Sequence, residues 1–351
     1  MNASLTPSHD TPKPVPHIPI RPEWLALRTE AALEPALPII DAHHHLWEFP
    51  DKRYRTRDLL DDLAQGHNIR ATVFVECKTH YDIDVPAAYA SAGEMRFALA
   101  EAREAEALGA STRLAAAFVG NVDLTLGAAA GPALDHLIEA SDGRLRGIRN
   151  IAVWHADPNV RASAATPPPR LLRDPSFRAG IAQLARRQLT FDAWLIHTQL
   201  PELGELAEAF GDTPIVLNHV GGPLALGPYR GRRDEVFAAW RNDISRLARY
   251  PNVHVKLGGF GMPLFGFDFD KPALPPDSVT LAEAIRPYVE TCIDAFGANR
   301  CMFESNFPVD KGCFGYGTAW NAYKRLTTGL PDADRSALFH DTAARFYRIA
   351  S

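Results

Sequence analysis

The chain has 351 residues, 46% of them hydrophobic and 23% charged, which is an ordinary globular composition and excludes a disordered or collagen-like chain. The 37 basic and 42 acidic residues give a net charge of -5, so no basic excess indicates binding to nucleic acid or to anionic lipid. Four scattered cysteines without a CxxC pair exclude a disulfide framework and favour reduced thiols in a cytoplasmic protein.

The first 38 residues form a distinct segment in which eight prolines forbid regular structure over most of the length. The prolines stand at positions 7, 12, 14, 16, 19, 22, 35 and 38. We expect residues 1–38 to be an extended arm that lies on the body of the protein, held by Trp24 and Leu25, and residues 39–351 to form one domain. The start has no signal-peptide core, and no apolar run approaches the length of about 18 residues that a membrane span requires.

From residue 39 onward, short apolar runs alternate with turn residues and helical patterns. Several runs, such as ATVFVEC, are continuously apolar and rich in β-branched residues, which is typical of parallel strands buried on both faces. The eight candidate strands are Ile39–Ala42, Ala71–Cys77, Arg113–Val119, Leu145–Asn150, Thr190–Ile196, Pro214–Asn218, Val253–Leu257 and Cys301–Ser305.

Helical patterns with charged faces separate the candidate strands, and a last one closes the chain. They cover 86–108, 131–140, 175–187, 201–210, 233–249, 279–296, 316–328 and 333–348. Eight strands alternating with helices predict a single α/β domain, a (β/α)8 TIM barrel. The alternative, a doubly wound open sheet, predicts a Gly-rich turn of the GxGxxG kind, and the sequence has none.

The strongest chemical signal is the DAHHHLW run at residues 41–47, where the first strand ends. Side chains alternate along a strand, so His43 and His45 point the same way while His44 points to the helix layer. Two imidazoles at this spacing are half of a divalent metal site.

Two further histidines, His197 and His219, stand at the ends of the fifth and sixth strands. The carboxyl ends of parallel barrel strands meet at one face of the barrel, where active sites are built. We therefore expect these two histidines to share one cavity with the first pair.

Charged side chains also stand at predicted strand ends. Glu76 ends the second strand, and Glu304 and Asn306 share one face of the eighth. Glu304 is either a ligand or base in the barrel mouth or a residue that orients a histidine. Arg149 ends the fourth strand and Lys256 the seventh. Such cations beside metal ligands usually meet an anionic ligand, although Lys256 could equally pair with one of the two glutamates.

In order, the motifs DAHHHLW, QLPEL, VLNHVGGP, VKLGG and MFESNFPVDK resemble the amidohydrolase superfamily, more narrowly its amidohydrolase-2 branch. The resemblance covers about 39–348. It implies a (β/α)8 barrel and, in most members, a divalent metal. The branch includes lactonases of sugar lactones and of 2-pyrone-4,6-dicarboxylate, with aromatic-acid decarboxylases as more distant relatives.

Carried over by position, the resemblance makes His43 and His45 metal ligands, joined by His197, with Zn²⁺ or Mn²⁺ as the expected ion. His219 matches the strand-6 histidine. Arg149 falls near the position that holds a substrate carboxylate in the dicarboxylate lactonase. Three other residues are assigned to substrate binding beside it: Glu76, Gln199 and Lys256.

One departure concerns the eighth strand, where Asn306 replaces the aspartate that takes a proton from the attacking water in the family. An amide cannot act as a general base. Either Glu304 or His219 takes that role, or the chain operates without metal, as the dicarboxylate lactonase does. We favour His219 for proton transfer, with Glu304 in support and Asn306 donating a hydrogen bond to substrate or water.

The first interpretation is a hydrolase that opens a lactone or a related cyclic ester or amide of a small, carboxylated substrate. The second is a metal-dependent, non-oxidative decarboxylase of an aromatic or unsaturated acid, which needs no water-activating base. The third is a non-catalytic binding protein on a decayed barrel. In each case the expected partner is an anionic small molecule, not nucleic acid or a membrane, and assembly as a homo-oligomer stays open.

Overall fold

A computed structural model describes residues 17–160, 163 and 165–350. Eight parallel strands form one sheet in the order β1-β4-β5-β6-β7-β8-β9-β10, and β2 and β3 form a separate antiparallel hairpin. The strands are β1 (Pro38–His44), β2 (Trp47–Phe49), β3 (Lys52–Tyr54), β4 (Asn68–Val75), β5 (Arg113–Gly120), β6 (Leu145–Ile151), β7 (Thr190–Trp194), β8 (Ile215–Leu217), β9 (Val253–Leu257) and β10 (Cys301–Phe303).

The eight-stranded sheet curls until its first and last strands meet. A parallel bridge joins His44 to Phe307 just after β10, and the amide of His45 donates to the Phe307 carbonyl over 2.8 Å. The expected (β/α)8 barrel is therefore confirmed. The pairing of β1 with β4 shifts its register between Asp41 and His44, within the histidine run.

Helices alternate with the barrel strands and cover their outer side. They are α1 (Pro22–Leu25), α2 (Thr56–Leu63), α3 (Ala92–Ala107), α4 (Ala130–Ala140), α5 (Pro175–Ala185), α6 (Leu200–Ala209), α7 (Arg233–Leu247), α8 (Ser278–Phe296), α9 (Tyr316–Leu326), α10 (Asp332–Ser336) and α11 (Thr342–Phe346), with a π-helical turn at Ala337–Asp341 before α11. None of the helices within the described ranges combines the length and the apolar character that crossing a membrane would require.

The barrel interior is filled by apolar side chains, which include Ile40, Val73, Val119 and Met302. Tyr347, after α11, belongs to the same buried cluster. The larger cluster, outside the barrel, packs the helices on the strands. Because the interior is packed, we look for a ligand site beyond the carboxyl ends of the strands.

The described part of the N-terminal arm lies along the barrel. The Trp24 indole is buried and donates to the carbonyl of Pro272 over 3.2 Å, and Arg28 pairs with Asp277 at 2.9 Å. Residues 1–16 of the expected arm lie outside the described residues.

Candidate active site

A cavity of about 390 Å³ opens at the carboxyl ends of the strands. Several of its walls are apolar, with Trp47, Trp194 and Leu264 among them. The site residues predicted from the sequence that line it are His45, Glu76, Arg149, His219 and Asn306. The polar groups at the strand ends thus share one cavity with several apolar side chains.

The two alternate histidines of β1 meet as the strand pattern predicts. Their rings lie 4.8 Å apart, and the Nε2 atoms of His43 and His45 are separated by 3.2 Å. His45 Nδ1 lies 2.8 Å from the Val75 carbonyl and must donate to it, so its Nε2 carries a lone pair. His44 points away, with its Nε2 2.8 Å from the Thr72 hydroxyl.

One carboxylate lies between two histidines. Glu304 Oε1 accepts a hydrogen bond from His219 Nδ1 over 2.6 Å, and Glu304 Oε2 lies 3.0 Å from His43 Nδ1. Oε2 has no well-aligned hydrogen bond within the described residues. His219 therefore carries its proton on Nδ1 and presents a free Nε2, an arrangement that strengthens Nε2 as a base or ligand.

The cations at the strand ends are paired with buried carboxylates. Arg149 Nε donates to Glu76 Oε1 over 2.8 Å, its NH2 group donates to the Glu76 carbonyl, and its NH1 group lies 3.4 Å from His43 Nε2. Lys256 is fully buried and pairs with Asp192 at 2.8 Å, rather than with either glutamate named above. Its ammonium lies 3.4 Å from His43 Nδ1, which places it behind the histidine and away from the cavity.

His197 has partners of a different kind. Its Nδ1 accepts a hydrogen bond from the Leu224 amide over 3.3 Å, and its ring packs edge-on against Tyr229. A neutral imidazole that accepts at Nδ1 carries its proton on Nε2, which then cannot bind a metal. Burial lowers the pKa of His197 to about 4, so the ring is neutral.

The side-chain amide of Gln199 forms hydrogen bonds with backbone groups. Its Nε2 donates to the Ala152 carbonyl over 2.7 Å, and its Oε1 accepts from the Trp154 amide over 3.1 Å. The amide therefore ties the loop after β6 to the loop after β7.

Asn306 lines the cavity, and a hydrogen bond to Asp310 holds its side chain. Its Nδ2 donates to Asp310 Oδ1 over 2.8 Å, and Asp310 Oδ2 accepts from the Gly261 amide over 3.0 Å. Burial raises the pKa of Asp310 well above its usual range. This buried carboxylate, four residues beyond the asparagine, was missed in the sequence, although the FESNFPVD run contains it.

Burial lowers the pKa of the three clustered histidines. It lowers the pKa of His43 and of His45 well below the ordinary value, with further lowering by Lys256 and Arg149 respectively. Burial also lowers the pKa of His219, and the Glu304 carboxylate opposes that shift. Neutral imidazoles are the form that binds a metal or accepts a proton.

Two glycines after β9 are required by the site. A Cβ at Gly258 would lie 2.3 Å from Glu304 Cγ, and one at Gly259, where φ is +75°, would lie 2.6 Å from His219 Nδ1. His219 and Asn306 themselves have φ values of 51° and 55°, a strained conformation that clusters at functional sites. The GG pair in VKLGG was the sequence signal for this close approach.

The described residues contain one group of at least three side chains whose ligand atoms could share a metal, namely His43, His219 and Glu304. The HxH pair offers a second arrangement. Two nitrogens on one tetrahedral Zn²⁺, each at about 2.0–2.1 Å, lie roughly 3.3 Å apart, close to the separation of the two Nε2 atoms. The two facing Nε2 atoms of the HxH pair fit a bound cation.

Comparison with known proteins adds independent information. A family model described as amidohydrolase matches residues 40–349. The chain is 42% identical over 204 residues to the uncharacterized protein y4mH of Sinorhizobium fredii, a match that spans 58% of this chain and 61% of that protein. It is 29% identical over 334 residues to the L-fucono-1,5-lactonase of Burkholderia ambifaria, which covers 88% of this chain and 95% of the relative. The crystal structure of a zinc-bound amidohydrolase from Burkholderia multivorans matches with a TM-score of 0.66 at 26% identity, over 89% of this chain and 99% of that one.

Proposed function

The chain belongs to the amidohydrolase family, and on that premise we propose that it hydrolyses the lactone ring of a small, carboxylated substrate with the help of a divalent metal. Family membership confirms the expectation of a hydrolase. The observation that carries the proposal is the Glu304 carboxylate between His219 and His43, which fixes a free imidazole nitrogen at the mouth of the barrel.

The proton-transfer residue is His219. Its Nδ1 proton is held by Glu304, so Nε2 can take a proton from water while Glu304 stabilises the imidazolium that forms. In the balanced reaction, the water oxygen attacks the lactone carbonyl carbon and the ring C–O bond breaks. His219 Nε2 takes the proton of the water and returns it to the departing ring oxygen, giving a hydroxy acid.

The residues that would hold the metal are His43 and His45 through Nε2, and the contact of His43 Nδ1 with Glu304 Oε2 at 3.0 Å would leave that Nε2 free. When bound, a divalent ion there would polarise the lactone carbonyl and lower the pKa of water. Because His197 Nδ1 accepts from the Leu224 amide, His197 would act as a hydrogen-bond donor through Nε2 instead of as a third ligand.

Arg149 would anchor the substrate carboxylate. Two of its N–H groups are occupied by Glu76, and a guanidinium has five, so donors remain on the side that lines the cavity. The Glu76 contact also fixes the plane of the guanidinium, as bidentate recognition of a carboxylate requires. Trp47 and Trp194 would cover the apolar body of the substrate.

The test is to incubate the metal-replete protein with a panel of carboxylated lactones, sugar lactones and aromatic acids and to identify products by mass. Gain of one water with release of acid supports the proposal. Loss of carbon dioxide would identify a decarboxylase instead. Tight binding without any turnover across the panel would contradict both.

A further inference from the structure

Residues of the N-terminal arm form part of the cavity wall. His17 and Ile18 both line the cavity that holds the histidines. The His17 ring packs edge-on against Trp47, with ring centroids 5.6 Å apart. Ile18 is half-buried and packs on the hydrophobic cluster outside the barrel.

The same two residues also line a second cavity of about 300 Å³. This second cavity lies between the arm and the loop after β9, with Phe260, Phe267 and Phe269 among its residues. Met262 and Pro263 line both cavities as well. The arm therefore separates the substrate cavity from this second cavity.

The arm is in close contact with the main body at Ile18. A Cβ at Gly312 would lie 2.5 Å from the Ile18 carbonyl oxygen and 2.7 Å from Ile18 Cγ2, so the arm rests directly on this glycine. Farther along, Arg21 donates to the Asp270 carbonyl over 2.7 Å, and Glu30 accepts from the Ser278 amide over 2.6 Å. Hydrogen bonds to the main body thus hold the arm where it approaches the site.

We propose that Ile18, with His17, is a specificity-determining element that limits the size of the substrate at the wall between the two cavities. The inference rests on the proposed lactonase function for its kinetic readout. Removing the Ile18 side chain joins the two cavities, so a bulkier apolar substituent can extend into the space beside Phe260 and Phe267.

The experiment compares two carboxylated δ-lactones that differ by one phenyl substituent, using the full chain. In Ile18→Ala, we expect the ratio of kcat/KM for the phenyl compound to that for the unsubstituted one to rise on the order of tenfold, as for other changes of apolar pocket size. Gly312→Ala should also change the ratio, because a Cβ there displaces Ile18 without altering a side chain of the cavity. Circular dichroism and thermal unfolding check that both variants fold.

The matched control is Gly315→Ala, in the same loop, where a Cβ would meet no atom closer than 3.7 Å and the ratio should stay unchanged. An unchanged ratio in both Ile18→Ala and Gly312→Ala overturns the inference. If the unmodified chain hydrolyses neither lactone, that result counts against the proposed function, and the dissociation constants of the same two compounds by calorimetry decide the arm's role instead. Equal ratios of these constants in all chains, or no binding at all, also overturn it.

Discussion

The histidines of the site differ in which ring nitrogen the protein holds, and this difference decides their chemistry. His45 and His219 are held at Nδ1 by oxygen acceptors, a backbone carbonyl and the Glu304 carboxylate, so each offers Nε2 to the cavity. His197 is held at Nδ1 by a backbone amide and so offers a proton instead of a lone pair. A sequence places histidines at strand ends, but it does not fix their tautomers, because these depend on backbone groups of other strands.

A prediction at this scale concerns Glu94, a fully buried carboxyl group behind the site. Its Oε1 accepts from the amides of Cys77 and Thr79, while its Oε2 has no partner within the described residues. Burial, and then the nearby Glu76, raise its pKa from 4.5 to about 8. The folded state therefore binds more protons than the unfolded state between these values, so this group's contribution to stability is lost as the pH rises toward 8.

Glu94→Gln keeps the acceptor oxygen and cannot ionise. We expect its melting temperature to exceed that of the unmodified protein at pH 9 and the gap to shrink at pH 6, measured by thermal unfolding. The control is Glu139→Gln, at an exposed position, whose melting temperature should not exceed that of the unmodified protein at pH 9. A Glu94→Gln variant that is destabilised equally at both pH values would rule out a raised pKa as the cause.

At the scale of elements, the barrel strands were predictable where their residues carry a buried, β-branched pattern. Val253–Leu257 was predicted with the bounds that β9 has. The hairpin of β2 and β3 was missed, since a strand of three residues is too short to show a period. The short helix α2 was missed as well. Helix ends differ by a few residues, as at Ala92–Ala107 against 86–108.

The site was predictable where it follows from strand ends alone. His43, His45 and His219 meet at one face, and Glu304 orients a histidine, one of the alternatives that the sequence left open. The partner of Lys256 was not predictable, because Asp192 lies in the middle of β7 and meets the lysine across the barrel interior. Side-chain depth inside a barrel depends on strand stagger, which the sequence does not display.

A prediction for the β9–α8 connection uses Gly259. An alanine there would strain the backbone at φ +75° and press its Cβ on the His219 ring. We expect Gly259→Ala to lose most lactone hydrolysis, at least about tenfold in kcat, because a displacement of a catalytic group near 1 Å can cost 10²-fold. Gly211→Ala, where a Cβ meets nothing within 4 Å, should keep its activity; equal activity in the two variants would contradict the role of this glycine.

At the scale of the whole molecule, the buried charges of the barrel do not balance. Arg149 and Lys256 neutralise Glu76 and Asp192, while the ion-pair partners of Glu304 within the described residues are two neutral histidines. An uncompensated buried carboxylate is expensive. A divalent cation beside the HxH pair would compensate it, and binding to the folded state alone would stabilise the protein.

The corresponding prediction concerns metal removal. Dialysis against a chelator should lower the melting temperature, and Zn²⁺ or Mn²⁺ should restore it, because an ion at 100 times its Kd stabilises the fold by about 2.7 kcal/mol. His45→Gln should abolish the response, whereas His197→Gln should keep it. A response that survives in His45→Gln would move the metal away from the HxH pair.

If His219, held by Glu304, moves the proton in lactone hydrolysis, replacing it must slow the reaction. The kcat of His219→Asn is measured under saturating metal and lactone, next to Glu304→Gln, with metal content and folding verified for both. We predict that His219→Asn lowers kcat by about 10²–10⁴-fold, the contribution of a general acid or base, and that Glu304→Gln loses less, because His219 remains. A His219→Asn variant with near-normal turnover, beside a folded and inactive Glu304→Gln, would show that Glu304 and not His219 is the base.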